Sequence, residues 1–298
     1  MKEKEFISVI KNTLNSKYIG DDCAYLKDLG IVVTQDSLVE DVHFKTDFIT
    51  PFQLGYKSVM VNISDVASSG AEPAYITVSL SLPNGIDAEF IKEFYEGCKS
   101  ACGEGVEIVG GDITGGDKIF ISICAIGKTM GRNISSRKTA LIGQKIVVCG
   151  NHGSSGLALK LLLMGQNVPD KLSEAHLMPK AQVEFGRQVA KTVKGKYAMM
   201  DTSDGLMDAL STIANESGVL LEVNFDKIPH DKEIEQYENW QNFVLFGGED
   251  YGIIAAVPQD CEIGTEIGQV KQGLGVDLFA GGKKIHFTKV DVENKVFN

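Results

Sequence analysis

At four places along the chain glycine stands beside acidic residues: Gly20-Asp21-Asp22, Gly110-Gly111-Asp112, Ser203-Asp204-Gly205 and Gly247-Gly248-Glu249-Asp250. Glycine is in excess, with 32 among 298 residues against a usual share of about 7%. The apolar runs around these marks alternate between strand and helix periods. That combination confines the chain to layered architectures whose loops and strand ends collect carboxylates.

The runs can be placed in order. Ile31 to Thr34 reads as a strand that reaches Asp36, and residues 52–69 as a helix. Leu54, Val59, Ile63 and Val66 fall at helical spacing there, behind Pro51 and ahead of Gly70. Residues 74–82 form a strand, 87–102 a helix, and 107–109 and 119–126 two further strands. These predict a sheet with helices packed on one face. Residues 130–143 are polar, lack a period and suit a linker. A second unit then offers strands at 146–148, 197–200, 219–225 and 251–257, with helices at 156–164, 179–193 and 206–217. The expected fold is thus an α/β domain followed by an α+β domain, at residues 1–136 and 137–298.

The net charge of −11 argues against a nucleic-acid or anionic-membrane binder, because phosphate backbones demand a basic footprint. No run approaches the ~18 apolar residues of a membrane helix, and the start Met1-Lys2-Glu3-Lys4-Glu5 is too acidic for a signal peptide. A cytoplasmic location follows as the expectation. The six cysteines contain no C-x-x-C pair. Cys98 and Cys102 share a helical face without further metal ligands nearby, so all six are expected to be small packing residues.

Asp36, Asp112 and Asp201 each close an apolar segment, Asp65 lies within the 52–69 helix, and Asp204 precedes another helix. Taken singly, each is turn or cap chemistry. If they converge, carboxylates ~5 Å apart repel by about 3 kcal/mol at an effective dielectric of 20, and hard oxygen ligands of this kind suit Mg2+ holding phosphates. The bare backbone at Gly110-Gly111 would admit close approach of a ligand. The common phosphate cradles are absent. Gly127-Lys128-Thr129 resembles a P-loop terminus, but Ser122 replaces its first glycine and the triplet closes a strand. There is no G-x-G-x-x-G, H-R-D, D-F-G or EF-hand run. The loop from Gly150 to Gly156, carrying His152, could receive an anion where it opens a helix.

Five blocks in sequence order resemble the thiamine-monophosphate kinase family: Ile19 to Ala24 with Thr34 to Glu40 and His43-Phe44; Val61 to Asp65 with Gly70 to Pro73; Gly110 to Thr114; Asp201 to Leu206; and Gly247 to Tyr251. The resemblance runs from about Ile19 to Phe279. It implies the aminoimidazole-ribonucleotide-synthetase-like fold, with a homodimer formed through the N-terminal domains. It also implies in-line transfer from ATP to thiamine monophosphate, with no phosphoenzyme and no protein nucleophile or base. Carried over position by position, Asp21, Thr34, Gln35, Asp36, Asp65, Asp112, Asp201 and Asp204 become ligands of several Mg2+ ions. Tyr95, Gly111, Asp112, Arg137 and Ser203 become nucleotide contacts. His43, Glu249 and Phe279 become substrate contacts. The helix from Pro51 and the strand at 74–82 are candidates for the dimer interface.

The chain departs from the family pattern at Gln35, at Asp41, in the shortened Gly153-Ser154-Ser155-Gly156 loop and at Gly252, none of which removes a carried-over acidic metal ligand. Other ATP-dependent members of the superfamily are the alternatives: aminoimidazole-ribonucleotide synthetase, selenophosphate synthetase and the hydrogenase-maturation dehydratase. The last would need a C-terminal cysteine, whereas this chain ends Val296-Phe297-Asn298. Selenophosphate synthesis would need a reactive N-terminal cysteine, whereas Cys23 sits within the Gly20–Ala24 block. A non-catalytic acidic module would account for the charge but not for glycines at each acidic mark.

Overall fold

The computed structural model describes residues 3–286, with no account of the side chains of residues 3 and 4; the Val296–Asn298 terminus and residues 1 and 2 lie outside it. Helix α1 (Glu3–Leu14) precedes five strands: β1 (Ala24–Leu26), β2 (Ile31–Val39), β3 (Glu72–Leu82), β4 (Glu107–Gly115) and β5 (Phe120–Lys128). They assemble in the order β1-β2-β5-β3-β4, antiparallel except for the β3–β4 pair. Helices α2 (Pro51–Ser69) and α3 (Ala88–Cys102) pack against this sheet. Val32, Ile76, Val78, Ile121 and Ile123 meet Leu54, Val59, Ile63, Phe94 and Cys98 there. The outward positions are small and polar: Ser37 Oγ and Gln35 Nε2 both donate to Ser122 Oγ, at 2.8 and 3.0 Å.

The sequence marks the ends of α2 well. Thr50 accepts from the Gln53 N–H while the Gln53 side chain accepts from the Thr50 N–H. Pro51 occupies the first turn, and Gly70, at φ +84°, ends the helix. This reciprocal cap satisfies N–H groups that would otherwise lack partners. Thirteen of the nineteen residues of α2 are buried, so most of the helix is interior, with Phe52, Tyr56 and Met60 part-exposed along one face. Its close neighbour is α3: a Cβ on Gly55 would lie 1.9 Å from the Phe94 carbonyl, and one on Gly97 would lie 1.9 Å from that of Phe52. Two glycines thus let the two backbones touch.

The second half contains β6 (Lys145–Cys149), α4 (Ser154–Leu163), α5 (Asp170–Leu177), α6 (Val183–Thr192), β7 (Ala198–Asp201), α7 (Leu206–Ser217), β8 (Leu220–Asn224), α8 (Trp240–Phe246), β9 (Ile253–Val257), β10 (Thr265–Lys271), β11 (Gly275–Ala280) and β12 (Lys283–Ile285). Its seven strands run β12-β11-β8-β10-β6-β9-β7, with β8 and β11 parallel and the other pairs antiparallel. Ala67 of α2 belongs to the core cluster that contains Val147, Val189, Met199, Ile253 and Ala255. Helix α2 therefore packs on both sheets at once, which positions everything it carries.

Several elements differ from expectation. The 130–143 segment has no regular structure, yet it is held in place rather than hanging free. Arg132 Nη2 donates to Glu72 at 2.7 Å, Asn133 Nδ2 donates to the Gly195 carbonyl at 2.7 Å, and Ala140 is buried. The strand at 107–109 continues to Gly115, carrying Gly110-Gly111-Asp112 inside it, past a register shift that leaves Val109 unpaired. The expected 179–193 helix starts only at Val183. Helix α1, whose Phe6, Ile7, Ile10 and Leu14 do fall at helical spacing, was not among the expected elements, nor were helices α5 and α8 or strands β1, β10, β11 and β12.

Candidate active site

Strand alternation turns Thr34 of β2 inward, toward the face that α2 covers. On α2, Asp65 meets it: the Thr34 hydroxyl donates to Asp65 Oδ2 at 2.5 Å. Asp201, at the end of β7, arrives from the second sheet and accepts from Ser64 Oγ at 2.6 Å and Ser203 Oγ at 2.8 Å. Asp22 completes the group. One carboxylate oxygen each from Asp22, Asp65 and Asp201 lie within 4.8 Å of one another.

Burial, then the charges of Asp201, Asp36 and Asp22, raises the Asp65 carboxyl well above the carboxylate range. Burial and then Asp22 push Asp201 up to about 7, against the lowering effect of the Ser64 and Ser203 hydroxyls. Anions held this close in a dry site call for a cation. The Arg137 guanidinium supplies part of it by pairing with Asp22, but its Nε is buried without a partner among the described residues. The donor set is all hard oxygen, which is what a Mg2+ ion takes.

Asp21, carried over as a metal ligand, is engaged elsewhere. Its carboxylate accepts from Ser136 Oγ at 3.0 Å and from the Arg137 N–H at 2.8 Å. It ties down the connecting segment that delivers Arg137, and its neighbour Asp22 takes the place in the cluster. Asp36 is exposed at the rim, its N–H donating to Asn62 Oδ1 at 2.9 Å, and Asp204 is exposed beyond Ser203. Gln35 points to the opposite face of the sheet, onto Ser122.

The remaining carried-over positions divide. His43 Nδ1 accepts from the Val39 N–H at 3.1 Å, and His43 is the smallest of the influences that lower the Glu249 carboxyl. Asp112 is exposed on edge strand β4, opposite Ser79, and is not brought to the cluster. Gly111 is bare for a different reason from close ligand approach: a Cβ there would lie 1.9 Å from the Val78 carbonyl of β3. Tyr95 is half-buried on α3 against Phe94. Phe279 on β11 is separated from Asp201 on β7 by four strands, roughly 24 Å at ordinary strand spacing.

The Gly150–Gly156 loop does not offer its N–H groups to an anion from outside. Asp250 already accepts from Gly153 N at 2.6 Å and Ser155 N at 2.9 Å. His152 is buried, with neither ring nitrogen partnered among the described residues.

Sequence reasoning missed Asp22, Lys57 and His176. Lys57 is fully buried, 1% exposed, and its Nζ lies 3.2 Å from Glu249 Oε2. It had a legible signal, for Lys57 and Asp65 are the only charged residues in the α2 sequence. His176 reaches the same oxygen at 3.3 Å.

Comparison with known proteins places the fold in a family. Residues 20–129 match the family model of the AIR synthase related protein N-terminal domain, and residues 142–269 that of its C-terminal domain. A thiamine-monophosphate kinase from Aquifex aeolicus is 36% identical over 296 residues, covering 94% of each chain. One from Corynebacterium glutamicum is 34% identical, covering 95% of this chain and 90% of its own. A solved structure of AaThiL complexed with AMPPCP and TMP superposes with a TM-score of 0.85 at 36% identity, over 96% of each chain. The chain belongs to the thiamine-monophosphate kinase family.

Proposed function

We propose that the protein transfers the terminal phosphoryl group of ATP to thiamine monophosphate, giving ADP and thiamine diphosphate. The observation that carries this reading is the Asp22–Asp65–Asp201 cluster, assembled from both halves of the chain in a family whose members act as thiamine-monophosphate kinases. The acceptor is a phosphate, ionised near neutral pH, so no protein base has to take a proton. Mg2+ held by Asp22, Asp65 and Asp201, with Asp36 and Asp204 at its margin, would neutralise the charge of the transferring phosphate and the leaving group.

The chain's own residues do the positioning. Ser64 and Ser203 orient Asp201, Thr34 and Ser68 orient Asp65 and Asp22, and Arg137 presents a planar donor fork that suits phosphate oxygens. Ser203 and Arg137 are the nucleotide contacts this geometry favours; His43 and Glu249 are the substrate contacts. We divide the chain into domains at 136/137, within the pinned connecting segment.

A homodimer through the N-terminal sheet is part of the proposal. It is supported by the long exposed edge strand β4, where Val109 and Ile113 stand 55% and 60% exposed. Unpaired edges of this length are commonly covered by a partner. Six free cysteines suit a reducing compartment, which a cytoplasmic location would provide. No helix among the described residues is long and apolar enough to cross a membrane.

Product chromatography is the test. Purified protein with ATP and Mg2+ should yield equal amounts of ADP and thiamine diphosphate from thiamine monophosphate, and none from free thiamine. ADP formed only with another acceptor would move the function to a different superfamily activity.

A further inference from the structure

A fully buried lysine in a helix interior is rare and needs a reason. Lys57 is 1% exposed, and its ammonium binds a carboxylate 192 positions away, on the loop after α8. That carboxylate, Glu249, is itself held from several sides. Oε2 receives Lys57 at 3.2 Å and lies 3.3 Å from His176 Nδ1. Its backbone N–H donates to the Ser203 carbonyl at 2.7 Å, and its φ of +62° is one few side chains tolerate. Tyr251, two residues on, is also left-handed at φ +49°. Non-glycine residues are kept in such conformations where the surroundings over-determine them, and they cluster at ligand sites.

His176 contributes no charge here. Burial, followed by Lys57, drives its pKa down to about 3, so its ring is neutral and further fixed by Ser155 Oγ at 2.9 Å. Lys57 is therefore the cation in contact with Glu249. The Glu249 side chain nonetheless keeps 23% of its surface open. Lys57 and Asp65 are eight residues apart on one helix, about 12 Å along its axis. One rigid element thus sets the spacing between the carboxylate cluster and Glu249.

We infer that Lys57 is a positioning residue for the cationic ring of the substrate: it fixes the Glu249 carboxylate where a positively charged heterocycle can meet its open side, while the phosphate end of the same molecule lies toward Asp65. The inference rests on the kinase reading above. Without Lys57, Glu249 would be a buried acid with no contacting cation, which favours its neutral form, and a neutral side chain does not select for a cation.

The test uses the full chain with Mg2+ and ATP, and compares thiamine monophosphate with an analogue whose thiazolium is replaced by an uncharged thiophene. The wild type should favour the cationic substrate by roughly tenfold or more in kcat/KM, the range of a close, partly desolvated charge pair. Lys57→Met should lose that preference through KM for thiamine monophosphate, with KM for ATP and kcat within about twofold. Since Lys57→Met alone strands a buried carboxylate, the double variant Lys57→Met/Glu249→Gln is measured too. It replaces the pair with neutral groups and should fold, yet should also fail to discriminate. A folded variant that still prefers the cation overturns the inference, and so does one whose KM for ATP rises as much as that for thiamine monophosphate. A wild type that is active but indifferent to ring charge overturns the inference alone. A wild type that makes no thiamine diphosphate overturns the kinase reading beneath it.

Discussion

Two groups of buried or half-buried acids are treated differently by the fold of this molecule. Asp250 and Asp231 are neutralised or capped from within. Asp250 accepts two N–H groups at the start of α4, while Asp231 takes Asn151 Nδ2 at 3.0 Å, Ser154 Oγ at 2.9 Å and Lys171. Among the described residues Asp65 and Asp201 receive hydroxyls and no contacting lysine or arginine, with Arg137 reaching only their neighbour Asp22. The first group spends its charge on architecture; the second keeps it for something not made of protein. Acidity and burial are common to both, so neither property marks the functional acids. What separates them is convergence: one oxygen each of Asp22, Asp65 and Asp201 lies within 4.8 Å of the others, whereas Asp250 and Asp231 each close on donors of the chain.

Substitutions should separate the two groups in opposite directions. Asp65→Asn should lower kinase turnover on the order of a thousandfold, while the melting temperature in metal-free buffer holds or rises, because one of several repelling charges is gone. Retained turnover would return Asp65 to the structural group.

The buried histidine beside these acids gives a pH-dependent contrast. His152 has its pKa pushed down to about 4 by burial, while the unfolded chain takes up that proton near about 6.5. The unfolded state thus binds more protons between those values. The stability that neutral His152 provides is whole above pH 6.5 and is lost as pH falls toward 4. Asp250, pushed up to about 7 chiefly by burial, runs the other way: the folded state holds the extra proton, and stability is gained as pH drops below 7. His152→Leu should therefore gain about 3 kcal/mol relative to wild type between neutral pH and pH 4, read from urea midpoints at each pH. A constant difference would refute it.

Asp250→Ala should cost about 2 kcal/mol of stability by leaving the Gly153 and Ser155 N–H groups without their acceptor, seen in the same urea titrations. Its effect on turnover should be no larger than the stability loss accounts for. The smallest expected difference is between adjacent residues. Asp21→Asn should cost about 1 kcal/mol and little turnover, whereas Asp22→Asn should reproduce much of the Asp65→Asn defect in steady-state assays.

That last pair also shows how far the sequence could be read. The caps of α2, the β-branched strands and the acidic marks were legible because each is decided by neighbours in the chain. Asp65 and Asp201 were legible as acids at the ends or on the faces of apolar segments. Which of Asp21 and Asp22 enters the cluster was not, because it depends on Ser136 and Arg137 arriving from more than a hundred positions away. Gly111 was bare for the sake of a neighbouring strand, which no local pattern distinguishes from bareness for a ligand. Helix α5 and strands β10 to β12 are short or half-exposed, so tertiary packing, not period, decides them. Lys57 could have been found by asking why a helix buried on both sides carries a positive charge at all.

The touching backbones of α2 and α3 have a genetic consequence. Gly97 lies on α3, beside neither Lys57 nor Asp65, yet any side chain there would have to displace the turn around Phe52 and Tyr56. Because α2 carries both charges on one rod, that displacement would shift them together. In a screen for loss of thiamine diphosphate supply, lesions at Gly55 and Gly97 would score with the carboxylates themselves, and a map drawn from such a screen would extend the active site to glycines whose only role is to let two helices touch.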